Sequence, residues 1–128
     1  MTLHVEVVVP DGEIWAGPAQ MVIAKTLEGD IGVLTGHAPV LGILAEGSVV
    51  RIRPQEGAGG EISAAISSGF FSIAGNQVSI LAREARLSSD IDTASAQAAL
   101  DEALGEGGDE SAQVRYYRAQ LRAAGTGS

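Results

Sequence analysis

Residues 62–82 read Ile62-Ser63-Ala64-Ala65-Ile66-Ser67-Ser68-Gly69-Phe70-Phe71-Ser72-Ile73-Ala74-Gly75-Asn76-Gln77-Val78-Ser79-Ile80-Leu81-Ala82. Ile62, Ala64 and Ile66 alternate with Ser63, Ala65 and Ser67, and Phe71 and Ile73 continue the pattern. Gly75-Asn76 interrupts it, and Val78 and Ile80 resume it. A period of two puts alternate side chains on opposite faces, which marks strands with one buried face. Glycine between such runs marks a turn.

The same pattern extends toward the N-terminus. Gly57-Ala58-Gly59-Gly60 reads as a flexible hairpin tip. In the run opened by Gly47, Val50 and Ile52 face one way and Arg51 and Arg53 the other. Met21 to Thr26 is β-rich, and Leu3, Val5, Val7 and Val9 alternate with His4, Glu6 and Val8 before the turn Pro10-Asp11-Gly12. Val8, Val22 and Leu81 are read as outer-face residues. Short, evenly spaced strands with glycine turns predict an antiparallel sandwich or barrel over residues 1–86.

The period changes after Leu87. Ser88-Ser89-Asp90 reads as a helix start, with Asp90 and Asp92 suited to the positive helix end. Ile91, Ala94 and Ala98 share one helical face; Ala96, Leu100, Ala103 and Leu104 share another. Gly105-Glu106-Gly107-Gly108 stops this helix, and a second runs roughly over 109–124. Val114, Tyr117 and Leu121 form its apolar stripe, with Arg115, Arg118 and Arg122 as a basic stripe alongside. A short glycine link predicts an antiparallel helical hairpin over residues 87–128. Helices this short are marginal alone in water, so the pair can detach at modest cost.

Composition narrows the function classes. The 128 residues carry 8 basic and 16 acidic side chains, a formal charge of −8, which disfavours nucleic acid and anionic membrane surfaces. No apolar run is long enough to span a bilayer, and the first residues lack a signal-like segment. The absence of cysteine excludes disulfides and thiolate metal sites. No phosphate-binding glycine loop is present, and two isolated histidines make no convincing zinc site. His37 could act as a lone general base, but no serine or carboxylate at telling spacing completes a triad, so a role within its turn or at an interface is preferred. No catalytic, cofactor-binding or metal-binding residue is predicted.

The stretch Glu28-Gly29-Asp30-Ile31-Gly32-Val33-Leu34-Thr35-Gly36-His37-Ala38-Pro39-Val40-Leu41 resembles the signature of the epsilon subunit of bacterial F-type, rotary, proton-translocating ATP synthases. His4 to Gly12, Ser67-Ser68-Gly69-Phe70-Phe71 and Val78 to Ala82 are similar to that family's first strand and turn, a central strand start and its last strand. The resemblance implies a β-sandwich of ten short antiparallel strands followed by the helical hairpin. It implies a non-catalytic place in the central stalk, bound to the gamma subunit and to the membrane ring of proton-carrying subunits, coupling ring rotation to ATP synthesis. It implies a peripheral location on the cytoplasmic side of the bacterial membrane, without direct bilayer insertion. Glu28, Gly29 and Asp30 fall on the family's ring-facing loop, with the Gly36-His37 turn expected close by. Arg115, Arg118 and Arg122 are the residues available to contact the catalytic head, its alpha and beta subunits.

The second half departs from the family's nucleotide-binding pattern. Where ATP-binding members carry I-D-x-x-R-A, this chain reads Ile91-Asp92-Thr93-Ala94-Ser95-Ala96, with Ser95 in place of arginine. Arg86 replaces the acidic residue six positions before Asp92, and Glu102 stands where the next arginine belongs. No ATP binding is therefore expected, and inhibition of ATP hydrolysis is expected to be weak. A free-standing β-sandwich binding module with a regulatory helical tail is the alternative reading.

Overall fold

A computed structural model describes residues 2–54, 60–107 and 111–125. The Gly57-Ala58-Gly59 part of the expected hairpin tip and the 108–110 link lie outside those residues. The described residues form ten strands and two α-helices. The strands are β1 Leu3–Val9, β2 Gly12–Ala19, β3 Met21–Thr26, β4 Gly29–Val33, β5 Val40–Ile43, β6 Ser48–Arg53, β7 Ile62–Ile66, β8 Gly69–Ala74, β9 Gln77–Ala82 and β10 Ala85–Leu87. A 3-10 turn at Ser88–Asp90 leads to α1, Thr93–Gly107, and α2, Ala112–Ala123.

The strands form two five-stranded sheets, ordered β2-β1-β9-β8-β5 (sheet A) and β10-β7-β6-β3-β4 (sheet B). The inward positions are those the alternation marks: Leu3, Val5 and Val7; Val50 and Ile52; Ala64 and Ile66; Phe71 and Ile73; Val78 and Ile80. Each large side chain sealed between the sheets stabilises the fold by roughly 1.5–3 kcal/mol. At Gly75-Asn76 both residues have positive φ, 58° and 64°, closing a two-residue hairpin between Ala74 and Gln77. That mirror-image turn matches the right-handed twist of the flanking strands, and glycine and asparagine tolerate it best.

Three expectations need correction. The strands are not all antiparallel: β1 lies parallel to β9, His4 opposite Gln77 and Val8 opposite Leu81. These strands are far apart in sequence, so no tight turn dictates their direction. Val22 is not an outer-face residue; it is buried with Ala24 between the sheets, and Ile23 and Lys25 point outward. The first helix also starts later than Ser88, runs through Gly105, and buries one face rather than two. Ala96, Leu100 and Ala103 are buried, while Ala94 and Ala98 are exposed.

Candidate docking surfaces

The registers of sheet A bring one residue from each of four strands into a row on its outer face. Val8 lies opposite Leu81, Leu81 opposite Phe70, and Phe70 opposite Ile43. Ile43 is 61% exposed and Phe70 44%. Leu27 extends the row, because its N–H donates to the Ile43 carbonyl at 3.2 Å and its side chain is 69% exposed. The adjacent row is mixed: Ser79 Oγ donates to Glu6 Oε1 at 2.8 Å, and Leu41 closes its far end. A contiguous exposed apolar strip is the kind of surface that marks an interaction site.

The expected ring-facing residues occupy two separate places. Leu27 and Glu28 form the two-residue turn between Thr26 and Gly29. Thr26 Oγ1 locks it, donating to the Gly29 carbonyl at 2.7 Å and accepting from the Glu28 N–H at 3.1 Å. Glu28 and Asp30 are exposed, Asp30 opposite Lys25. Gly36 and His37 lie beyond the other end of β4. There the Gly36 N–H donates to Asn76 Oδ1 at 2.7 Å and the His37 N–H donates to the Leu34 carbonyl at 3.2 Å. The structure thus does not gather the acidic turn and the histidine turn, which stand at opposite ends of β4. Gly29 and Val33 alone are about 13 Å apart at the usual strand rise. The His37 ring is held by its own loop, its Nδ1 2.8 Å from the Ala38 carbonyl.

On sheet B, α2 covers the outer face over β6 and β7. Ser111 caps this helix by accepting from the Val114 N–H at 3.2 Å. The apolar stripe Val114, Tyr117 and Leu121 packs on Ala96, Leu100 and Ala103 of α1. A second face, not evident from the sequence, sets Tyr116 and Ala119 on Ala65 and Val49. Burial, and after it the charge of Glu84, raises the Tyr116 hydroxyl above its ordinary pKa of 10.0. Two members of the basic stripe turn toward the sandwich. Arg122 Nη2 donates to the Gly47 carbonyl at 2.8 Å, and Arg115 Nη1 lies 3.9 Å from Glu46 Oε1. Arg118 is exposed. The helix backbone rides directly on Gly47, whose φ is +63°.

The remnants of the nucleotide motif do converge. Arg86, Asp92, Ser95, Tyr117 and Gln120 surround a cleft of about 270 Å³, and Glu102 is not among its walls. The Asp92 carboxylate is already engaged as the α1 cap, accepting from the Ala94 N–H at 3.0 Å and the Ser95 N–H at 3.3 Å. The Ser95 backbone N–H, then the Ser95 side chain, hold its pKa below the ordinary 3.8.

A family model described as "ATP synthase, Delta/Epsilon chain, beta-sandwich domain" matches residues 2–88. The ATP synthase epsilon chain of Thermobifida fusca is 49% identical over 127 residues, covering 95% of this chain and 91% of the relative. The Streptomyces coelicolor epsilon chain is 46% identical, with 95% and 94% covered. The Frankia casuarinae epsilon chain is 48% identical over 87 residues, which cover 68% of this chain and 99% of that shorter relative. A chain in the Euglena gracilis mitochondrial ATP synthase structure shares the fold, with a TM-score of 0.69 at 24% identity over 98% of this chain and 78% of the other. The sandwich, its matched span and these relatives place the chain in the ATP synthase epsilon-chain family.

Proposed function

We propose that the chain is the non-catalytic central-stalk subunit that joins the gamma subunit to the membrane ring and couples ring rotation to ATP synthesis. The observation that carries this reading is the apolar row Val8, Leu81, Phe70 and Ile43, left open on sheet A. Such a strip suits a coiled or helical shaft, which buries apolar side chains along a line. The acidic Glu28–Asp30 turn stands beside its Ile43 end and is the part of the sandwich assigned to the ring; the Gly36-His37 turn, at the far end of β4, is a second and separate contact. The subunit sits peripherally on the cytoplasmic side of the bacterial membrane.

The hairpin rests folded on sheet B and inhibits hydrolysis weakly. Arg115 and Arg122 already have sandwich partners that an extended hairpin would have to give up. A relative about as long as the sandwich alone agrees with a hairpin dispensable for the stalk role. ATP binding is absent, because Asp92 caps a helix and Ser95 and Glu102 offer no positive charge to phosphate.

The test is co-purification with gamma. Wild-type chain should form a stable one-to-one complex, and Phe70→Asp or Ile43→Asp should abolish it while leaving the isolated fold intact. Undiminished binding by both variants would refute the sheet A assignment. Deleting residues 88–128 should leave the hydrolysis rate of the complex nearly unchanged; a several-fold rise would refute the weak-inhibition reading.

A further inference from the structure

Beside α2, the outer face of sheet B holds a groove of about 320 Å³ that the stalk role does not use. Its floor is Ile23 and Val49. Alternation turns Lys25 outward on β3 and Arg51 outward on β6, where Arg51 lies opposite both Ile23 and Ser63. Arg122 reaches in from the last turn of α2. Three of the chain's eight basic residues therefore line one groove of a protein whose net charge is −8. Asp30 is the single carboxylate in the wall.

The charges are not spent on one another. Among the described residues, the Lys25 and Arg51 side chains have no hydrogen-bond or ion-pair partner. Asp30 stands opposite Lys25 across the strands without an ion pair to it. Arg122 gives one N–H to Gly47, leaving four of the five a guanidinium carries. Like charges held over an apolar floor repel, and a multivalent oxyanion that accepts from all of them relieves that repulsion.

We infer that this groove is a binding site for a phosphate group, held by Lys25, Arg51 and Arg122 with the Ser63 hydroxyl as a further donor. The ligand is orthophosphate rather than a nucleotide, because no aromatic side chain lines the groove to receive a base. Two of the cations belong to the sandwich and the third to α2, so the bound anion ties the hairpin to sheet B.

The isotope-labelled full chain is titrated with sodium phosphate at constant ionic strength, and backbone amide shifts are followed. Shifts should saturate in the millimolar range and concentrate at Lys25, Val49, Arg51, Ser63 and Arg122. Arg51→Gln and Lys25→Gln should each weaken binding on the order of tenfold, the usual effect of losing one charged hydrogen bond. Amide exchange in α2 should slow with phosphate in the wild type. Linear shifts matched by chloride, or saturation unaltered in both variants, would overturn the site. In a second arm ADP should bind no tighter than orthophosphate; tighter binding that still maps to the groove would overturn the assignment to orthophosphate.

Discussion

Replacing Gly47 by alanine tests how the hairpin is held. A Cβ at this position would collide with the Cβ of Arg115 and lie 2.6 Å from its backbone carbon and 2.7 Å from its carbonyl oxygen. Restoring an ordinary 3.4 Å contact to the nearest of these atoms, the Arg115 Cβ, requires α2 to lift by about 1 Å. A gap of that size forfeits roughly a quarter to a half of the dispersion contact it opens. The face at risk is Tyr116 and Ala119, whose burial is worth about 2–4 kcal/mol together, so the lift costs about 0.5–2 kcal/mol. The Arg122 bond to the Gly47 carbonyl weakens with it. The positive φ adds roughly 1–2 kcal/mol for any side chain. Gly75→Ala is the control, because Gly75 also has a positive φ, 58°, but nothing lies within 4 Å of its added Cβ. Calorimetry should show Gly47→Ala melting at least ~3 °C below Gly75→Ala. Hydrogen exchange should show α2 amides deprotected in Gly47→Ala alone. Equal melting of the two variants, with α2 protected as in the wild type, would refute the claim that the helix depends on this close approach.

Three further outcomes follow from the packing. Ile52→Ala, in the sealed core, should cost about 2–5 kcal/mol, read as a lower urea midpoint, whereas Phe70→Ser on the outer face should scarcely move it. Asn76→Ala should destabilise the chain through both its φ of 64° and the lost bond from Gly36; Asn76→Gly should restore the turn but not the bond, leaving the 34–39 loop faster to exchange. The Asp92 carboxylate is favoured by folding, so its contribution is present above an ordinary pKa of 3.8 and is lost as pH falls through the lowered folded value. Asp92→Asn should flatten the acid limb of a stability-versus-pH curve measured by helix circular dichroism.

The strands that the sequence pattern revealed one by one, β3 as a β-rich run and the others by alternation, are the interior strands of the sheets: β1, β3, β6, β7, β8 and β9. The four that it did not single out, β2, β4, β5 and β10, are all edges. Edge strands bury fewer side chains and carry the residues that blunt unwanted pairing, as in Gly12-Glu13-Ile14-Trp15-Ala16-Gly17-Pro18-Ala19, so the period of two fades there. The outer-face row was only half legible. Val8 and Leu81 stood out as outward apolar residues, but their alignment with Phe70 and Ile43 depends on a parallel pairing that no local signal encodes. The same holds for α2. Its stripe toward α1 has helical spacing, whereas Tyr116 and Ala119 gain meaning only against Ala65 of a distant strand. The acidic and histidine turns look adjacent because only seven residues separate Gly29 from His37. A strand five residues long carries the chain from one end of the sandwich to the other within that span.

The two sheets divide the work. The apolar row lies on the outside of sheet A, while α2 covers β6 and β7 on the outside of sheet B, with the sealed core between them. The inward faces of both sheets belong to that one core and share no side chain with the small cluster that joins α1 to α2. A hairpin lifted from sheet B therefore exposes Ala65 and Val49 but leaves the Val8–Ile43 row in register. Phe70→Asp should accordingly abolish gamma binding without altering α2 exchange, and Gly47→Ala should loosen α2 without weakening gamma. A Gly47→Ala chain that also lost gamma would mean the two faces are coupled through the core, and the division of labour between the sheets would fall.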